Sequence, residues 1–315
     1  MTYAAIYLSL ISLLAVIITL HDKSAAQRHK WRVRESTLLL IAALGGWVCS
    51  HADYHAAHPP QDEAREVYGG AAGDYRAAVG GSRRALVAAM TYANVHPAIF
   101  LSRPNRFIAH ALLGGDMITC HVKNTGRCKE LLTPGATVYV QQVDNPLRKT
   151  QYDLIAVRKG QRLINMDSQA PNRVFFEHLQ SGKYIESITC IKSEAKFGTS
   201  RFDFYVEAGE RKIFIEVKGV TLEEDGVVLF PDAPTQRGVR HLRELAQCAA
   251  AGYEAHVVFV VQMNDVRYFT PNGRMHPAFG QALREAAAAG VKVAALDCVV
   301  EPDRLEIGGE IPIKL

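Results

Sequence analysis

Between residues 170 and 296 the chain changes its pattern in a set order, and that order constrains the fold more than any single motif. Residues 172–180 place Val174, Phe175 and Leu179 at helical spacing and stop near Gly182, so they read as a helix with Glu177 partway along it. Three short strand-like runs follow, 187–192, 201–207 and 212–220, split by Lys196-Phe-Gly198 and by Ala208-Gly209-Glu210. Together they form a meander. A second helix over 235–251 starts after Pro231 and Pro234 and ends at Gly252, and 256–261 is an unbroken apolar run of the kind buried on both faces of a sheet. A further helix over 278–289 and a strand over 291–296 extend the series. The core order is α-β-β-β-α-β.

Alternation along 212–220 puts Ile213, Ile215 and Val217 on one face of a strand and Phe214, Glu216 and Lys218 on the other. With a turn centred on Gly209-Glu210, residue 207 pairs with about 212, and the same sum places Asp203 opposite Glu216, within one or two residues of register. Asp203, Glu216 and Lys218 then converge. Two carboxylates at that spacing suit a hard divalent cation such as Mg²⁺, and a neighbouring lysine suits charge developing on a phosphodiester. A Glu-x-Lys tripeptide arises by chance roughly once in a chain of this length. Its placement beside Asp203, after the helix that carries Glu177, is what points to hydrolytic metal chemistry; the alternative is an exposed Glu/Lys face on an edge hairpin.

From Met90 to residue 165 the chain is β-rich. The runs 98–102, 107–112, 117–122, 137–143 and 152–157 are separated by Pro104-Asn105, Gly114-Gly115, Pro134-Gly135 and Asn145-Pro146. Five short strands over some 70 residues predict a small barrel, and an OB-fold is the five-stranded barrel of that size, with or without a nucleic-acid ligand. Basic residues fall between the strands: Arg103 and Arg106, then Arg127 and Lys129, then Arg148 and Lys149. Asn124 or Thr125 is placed to cap a short helix there, with Gly126 allowing close approach of a phosphate. Arg237, Arg240, His241 and Glu244 share one face of the 235–251 helix, which reads either as a DNA-backbone contact or as a solvated face closed by Arg243-Glu244. His241, with no second histidine at ligand spacing, does not make a zinc site.

The N-terminal end has a different character. Residues 1–20 carry no charge, and a helix of 20 residues spans ~30 Å, the thickness of a bilayer core. Residues 21–35 hold five Lys and Arg against Asp22 and Glu35, which keeps that loop on the cytoplasmic side. A second apolar run, 36–50, is short for a span. Residues 51–89 mix Ala, Gly, His and Arg without a period, and read either as a tether or as an out-of-frame join between neighbouring genes, with Met90 the start of the second. The six cysteines form no Cys-x-x-Cys pair, which suits reduced thiols in a cytosolic body. A hydrophobic content of 48%, a charged content of 22% and a net charge of +4 exclude a disordered or wholly membrane-embedded chain and permit a nucleic-acid partner without requiring one.

Two resemblances follow from these residues. Asp22-Lys23, Trp31-Arg-Val-Arg-Glu35 and Leu44-Gly-Gly46 resemble a family of short bacterial membrane proteins of unassigned function, truncated near Trp47. From about 90 to 315, Arg103-Pro-Asn-Arg-Phe-Ile108, Asn124-Thr-Gly-Arg-Cys-Lys-Glu-Leu-Leu132, Arg148-Lys-Thr-Gln-Tyr-Asp-Leu154, Ser200-Arg-Phe-Asp203, Glu216-Val-Lys-Gly-Val-Thr-Leu222, Phe230-Pro-Asp-Ala233 and Thr235-Gln-Arg-Gly-Val-Arg-His-Leu-Arg-Glu-Leu245 resemble the sugar fermentation stimulation protein A (SfsA) family. That resemblance implies an α+β and α/β architecture: an OB-like barrel over 90–165 and a PD-(D/E)XK restriction-endonuclease-like domain over 166–315, behind a membrane-type helix in 1–50. It implies a DNA-binding protein, with largely non-specific contacts and RNA as a second polymer, linked to regulation of sugar (maltose) metabolism. The alternative it carries is an active Mg²⁺-dependent nuclease, with Asp203, Glu216 and Lys218 as the catalytic set, Glu177 as a weaker helix-borne acid, and Asp203 and Glu216 as metal ligands. Residues 90–315 are expected in the cytoplasm, with membrane association only through 1–50.

Overall fold

The computed structural model describes residues 89–315 apart from Thr125 and Thr199. The membrane-type segment expected over 1–50, and all but the last residue of the stretch over 51–89, lie outside the described residues. Among the described residues no helix is long and apolar enough to cross a membrane.

After a two-residue strand β1 (Met90–Thr91) come β2 (Val95–Asn105), β3 (Ile108–Leu113), β4 (Asp116–Val122), β5 (Thr137–Gln142), β6 (Tyr152–Lys159) and β7 (Arg162–Asn165). The order β4-β3-β2-β5-β6 closes on itself through a parallel β4–β6 pairing, Cys120↔Tyr152 to Val122↔Leu154. Closure pairs β4 with β6 and leaves only the short β7 on the outside, and the alternating positions Ala98, Phe100, Ala109, Ala111, Cys120, Val122, Val138, Val140 and Leu154 fill the interior. Small residues at 109 and 111 make room for Phe100. This is the OB-like barrel expected from the five runs. The short helix expected at 124–132 does not form. Asn124 instead accepts the Gly126 N–H on its own side chain, Cys128 takes φ +45°, and a single turn joins Cys128 to Leu132. An asparagine that satisfies a nearby amide offers the backbone an alternative to a helix.

The second body is a sheet in the order β1-β16-β15-β13-β10-β9-β8, with β8 (Ile188–Phe197), β9 (Ser200–Ala208), β10 (Arg211–Val220), β13 (Glu254–Val261), β15 (Lys292–Glu301) and β16 (Arg304–Glu310). β10, β13 and β15 run parallel and the outer strands antiparallel. Helix α1 (Ala170–Gln180) packs Val174, Phe175 and Leu179 with Ile213, Ile215 and Val217. Helices α2 (Gln236–Ala250) and α3 (Pro277–Ala288, with Phe279) pack with Phe214 and Phe259 in a separate core. The alternation expected along β10 therefore sorts its side chains between two cores, and the apolar run of β13 lies buried between them. A small side sheet, β11 (Glu223–Glu224), β12 (Val227–Phe230) and β14 (Tyr268–Pro271), consists of strands of two to four residues, too short to show a period in sequence.

A seam of buried amides joins the barrel to the sheet. Gln262, at the end of β13, donates to the carbonyls of Asn165 and Asp167 and to the Asn165 side chain, and Asn165 donates to the Tyr92 hydroxyl at 3.0 Å. Buried polar groups are tolerated when each finds its partner, and here the partners lie on both bodies.

Candidate metal and nucleic-acid site

The β9–β10 hairpin pairs Arg211↔Ala208 through Ile215↔Phe204, with Lys212 opposite Glu207 as the turn position requires. One step beyond, the two strands part: β10 continues against β13 while β9 continues against β8. The Val217 N–H would lose its ladder partner at this fork. The Asp203 carboxylate takes that bond instead, accepting at 2.7 Å on Oδ2, and its Oδ1 accepts from Asn172 on α1 at 2.8 Å. Asp203 thus stands opposite Glu216 by position, as expected, but through its side chain.

Glu216 and Lys218 lie on the same face of β10, and the Lys218 ammonium donates to Glu216 Oε1. The same oxygen meets Nδ1 of His241, from α2. Burial and the charge of Glu216 push the Asp203 carboxyl up to about 6. Burial also pushes Glu216 up, but the His241 hydrogen bond and the Lys218 charge outweigh it and hold Glu216 below the usual carboxylate range. Repulsion between two carboxylates, one of them destabilised as an anion, is what a shared cation relieves, so the donor set fits a hard divalent ion. Among the described residues no three His, Cys, Asp or Glu side chains form a ready cage. A cation held by Asp203 and Glu216 would complete its shell with water or phosphate oxygen, the habit of Mg²⁺.

Glu177 is not part of this group. It pairs with Arg173 one turn back at 3.5 Å and sits near Met90 and Glu306, where burial raises its carboxyl. It lies five positions along the helix from Asn172, which turns the two side chains ~140° apart around the axis. Asn172 is therefore the helix-borne residue at the site, and one the sequence marks only as the start of a helix after Pro171. Gly219 makes the approach possible: a Cβ there would stand 2.7 Å from Pro171 Cγ and 2.8 Å from Gln262 Oε1.

The expected phosphate contacts divide into two groups. Arg106, Arg127, Lys129, Lys149, Arg237 and Arg240 are exposed. Arg103 is not available: its guanidinium donates to the carbonyls of Arg106, Asn124, Gly126 and Arg127 at 2.7–2.9 Å and so holds the loop together. Arg148 is bound through both terminal nitrogens to Asp153, whose carboxyl is held far below the usual range against its burial by the close approach of His121 and Lys123 and the hydrogen bonds from Arg148. His241, expected on a DNA-facing surface, is only 5% exposed and is engaged with Glu216 and Arg237. Helical spacing groups it with Arg237 but does not separate a side chain facing solvent from one facing a buried carboxylate.

The barrel loop reaches this region from both sides. Ser168, just before α1, donates to the Lys123 carbonyl, and Lys123 lies 3.2 Å from Asp167. Gly126 lies so close to Asp232, three residues before the Thr235 cap of α2, that a Cβ would stand 2.5 Å from its Oδ2. Residues 123–129 therefore bridge the approaches to the two helices that carry Asn172 and His241, and bring Arg127 and Lys129 with them.

Comparison with known proteins bears on the same residues. Residues 101–166 match the SfsA N-terminal OB domain and residues 169–304 the sugar fermentation stimulation protein RE domain. Over 226 residues the chain is 62% identical to the sugar fermentation stimulation protein homolog of Desulfitobacterium hafniense (strain Y51), covering 72% of this chain and 99% of that protein. The chain belongs to the sugar fermentation stimulation protein family. The Ruminiclostridium cellulolyticum homolog of SfsA type is 55% identical over 226 residues, 72% of this chain and 100% of that protein. The structure of Pyrococcus furiosus SfsA in complex with Ca²⁺ is similar with a TM-score of 0.66 at 29% identity, covering 72% of this chain and 98% of that one. Residues 12–58 match a separate family of unknown function, DUF1294, as the N-terminal motifs suggested. Between the two SfsA matches fall only residues 167 and 168, so the buried amide seam is the junction of the family's two domains.

Proposed function

We propose that this SfsA-family chain binds nucleic acid, DNA in the first place, and holds a divalent cation between Asp203 and Glu216 against the phosphodiester backbone. The observation that carries the reading is the convergence of Asp203, Glu216 and Lys218 at the β9–β10 fork, flanked by Arg237 and by the Arg127–Lys129 loop. Pyrococcus furiosus SfsA was solved as a complex with Ca²⁺, which supports a cation site in the family. Exposed Arg and Lys supply the sequence-independent part of DNA or RNA affinity. The family's name supports a regulatory outcome on sugar metabolism, with maltose genes as the proposed targets. In this reading residues 90–315 work in the cytoplasm, and any membrane attachment runs through residues 1–50.

The second reading is Mg²⁺-dependent hydrolysis, and Lys218 favours it. Its ammonium neutralises a carboxylate that an exposed surface would leave to water, and in a nuclease it would stand against charge developing on the phosphate. Mg²⁺, when bound, would polarise the phosphodiester and lower the pKa of a bound water. Asn172 and the Val217 amide hold Asp203, and His241 and Lys218 hold Glu216, so the ligands are positioned before substrate arrives.

Both readings are tested on the full chain with labelled double-stranded DNA, single-stranded DNA and RNA, with EDTA or Mg²⁺, beside Glu216→Ala and Lys218→Ala. A mobility shift that weakens steeply with salt is expected, and absence of any shift refutes the binding reading. Shortened product that needs Mg²⁺ and disappears in both variants establishes the nuclease; intact product under every condition removes it.

A further inference from the structure

The α2 face that carries Arg237 and His241 reaches inward to Glu216. His241 is buried, with its ring edge-on to Phe202 at 6.3 Å between centroids. Arg237 Nε lies 3.3 Å from His241 Nε2, and a guanidinium nitrogen only donates. Nε2 therefore accepts, and in a neutral imidazole the proton then resides on Nδ1. Nδ1 faces Glu216 Oε1, to which Lys218 also donates. Both donors act on one oxygen, and no described residue hydrogen-bonds Oε2. The carboxylate is clamped through Oε1 and presents Oε2.

We propose that His241 is a positioning residue for the cation site: its Nδ1–H holds Glu216 in the rotamer that offers Oε2 as the ligand, and Arg237 selects the tautomer that makes this donation possible. The inference rests on the cation reading above and assigns no contact with substrate to His241. Arg237 keeps its terminal nitrogens for a phosphate while its Nε serves the histidine, so one side chain links the backbone contact to the ligand.

The test is Mn²⁺ affinity of the full chain, measured by calorimetry, for the wild type, His241→Asn and His241→Gln. The Asn amide nitrogen stands where Nδ1 does, whereas the Gln amide reaches the position of Nε2. Loss of an outer partner of a metal ligand lowers affinity roughly 10–100-fold, so that loss is expected for His241→Gln and a loss of about threefold or less for His241→Asn. Equal affinities in the two variants, whether both reduced or both unchanged, overturn the proposal while wild-type binding keeps the cation reading intact. A wild type that takes up no Mn²⁺ overturns the cation reading itself, and this inference with it. Nitrogen NMR of the wild type reads the tautomer directly and does not depend on either variant folding: a neutral ring protonated on Nδ1 is expected, and one protonated on Nε2 overturns the assignment.

Discussion

Replacing Asp203 by asparagine should make the cation-free protein more stable, not less. Burial and the charge of Glu216 raise the Asp203 carboxyl to about 6, whereas an unfolded chain ionises it near ~4. A displacement of about two pH units corresponds to about 3 kcal/mol, and the side chain's remaining contact with solvent makes about 1–3 kcal/mol the working range. The sign follows from the direction. A raised folded pKa means that the fold disfavours the anion, so the penalty is absent below about pH 4, grows between pH 4 and 6, and is complete above about 6. Asparagine carries no charge at any of these values. Its oxygen can still accept from the Val217 N–H, and the Asn172 amide can turn to present its own oxygen, so both hydrogen bonds survive. In a body of this size each kcal/mol moves the melting temperature by roughly 2–4 °C. Thermal melts in EDTA should therefore place Asp203→Asn roughly 2–12 °C above the wild type at about pH 7.5 and level with it near pH 4. Saturating Mg²⁺ should raise the wild type, by about 2.7 kcal/mol at a hundredfold excess over Kd, and leave the variant unmoved. A variant that melts lower at neutral pH, or whose gain is the same at both pH values, would refute the reasoning.

Three further outcomes follow from named contacts. Gly219→Ala should destabilise by about 1–3 kcal/mol in denaturant melts and lower cation affinity, because the new methyl pushes Pro171, and with it Asn172, away from β10. Arg103→Ala should cost about 1–3 kcal/mol, since it removes the donor to four loop carbonyls, two of them partly buried, and Arg103→Lys should not restore the stability because an ammonium cannot span them. Arg127→Ala and Lys129→Ala should each weaken binding alike on all sequences and lower the slope of log affinity against log salt by about 1, read by fluorescence anisotropy across a salt series.

The meander could be placed in register from sequence because its turn is short and its alternation strict: Lys212 lies opposite Glu207, and Asp203 falls beside Glu216. The barrel was legible for the same reason, as each strand alternates into one closed core. What escaped was set by tertiary contact rather than by local pattern. The parting of β9 and β10 has no signature in either strand, yet it is the reason Asp203 bonds a backbone amide. Glu177 and Asn172 share a helix, and only the packing of Pro171 on Gly219 decides which of them faces the site. Arg103 looked like a phosphate contact because it stands with other basic residues in the loops between strands. Its carbonyl partners stand 3 to 24 positions along the chain, where no spacing rule reaches.

The seam between barrel and sheet bears on how this chain could be rebuilt. Tyr92, Asn165, Asp167 and Gln262 come from before the barrel, from its end and from the end of the central strand β13, and removing the others leaves buried polar groups without partners. The two named domains are consecutive in sequence but not interchangeable parts. A graft that swaps in a foreign barrel would have to keep Asn165 and Asp167 as partners for the retained Tyr92 and Gln262, along with the Asn124–Cys128 loop. A cut between residues 166 and 169 would yield two halves, one stripped of its loop anchors and the other of the cover beside Asp203 and Glu216.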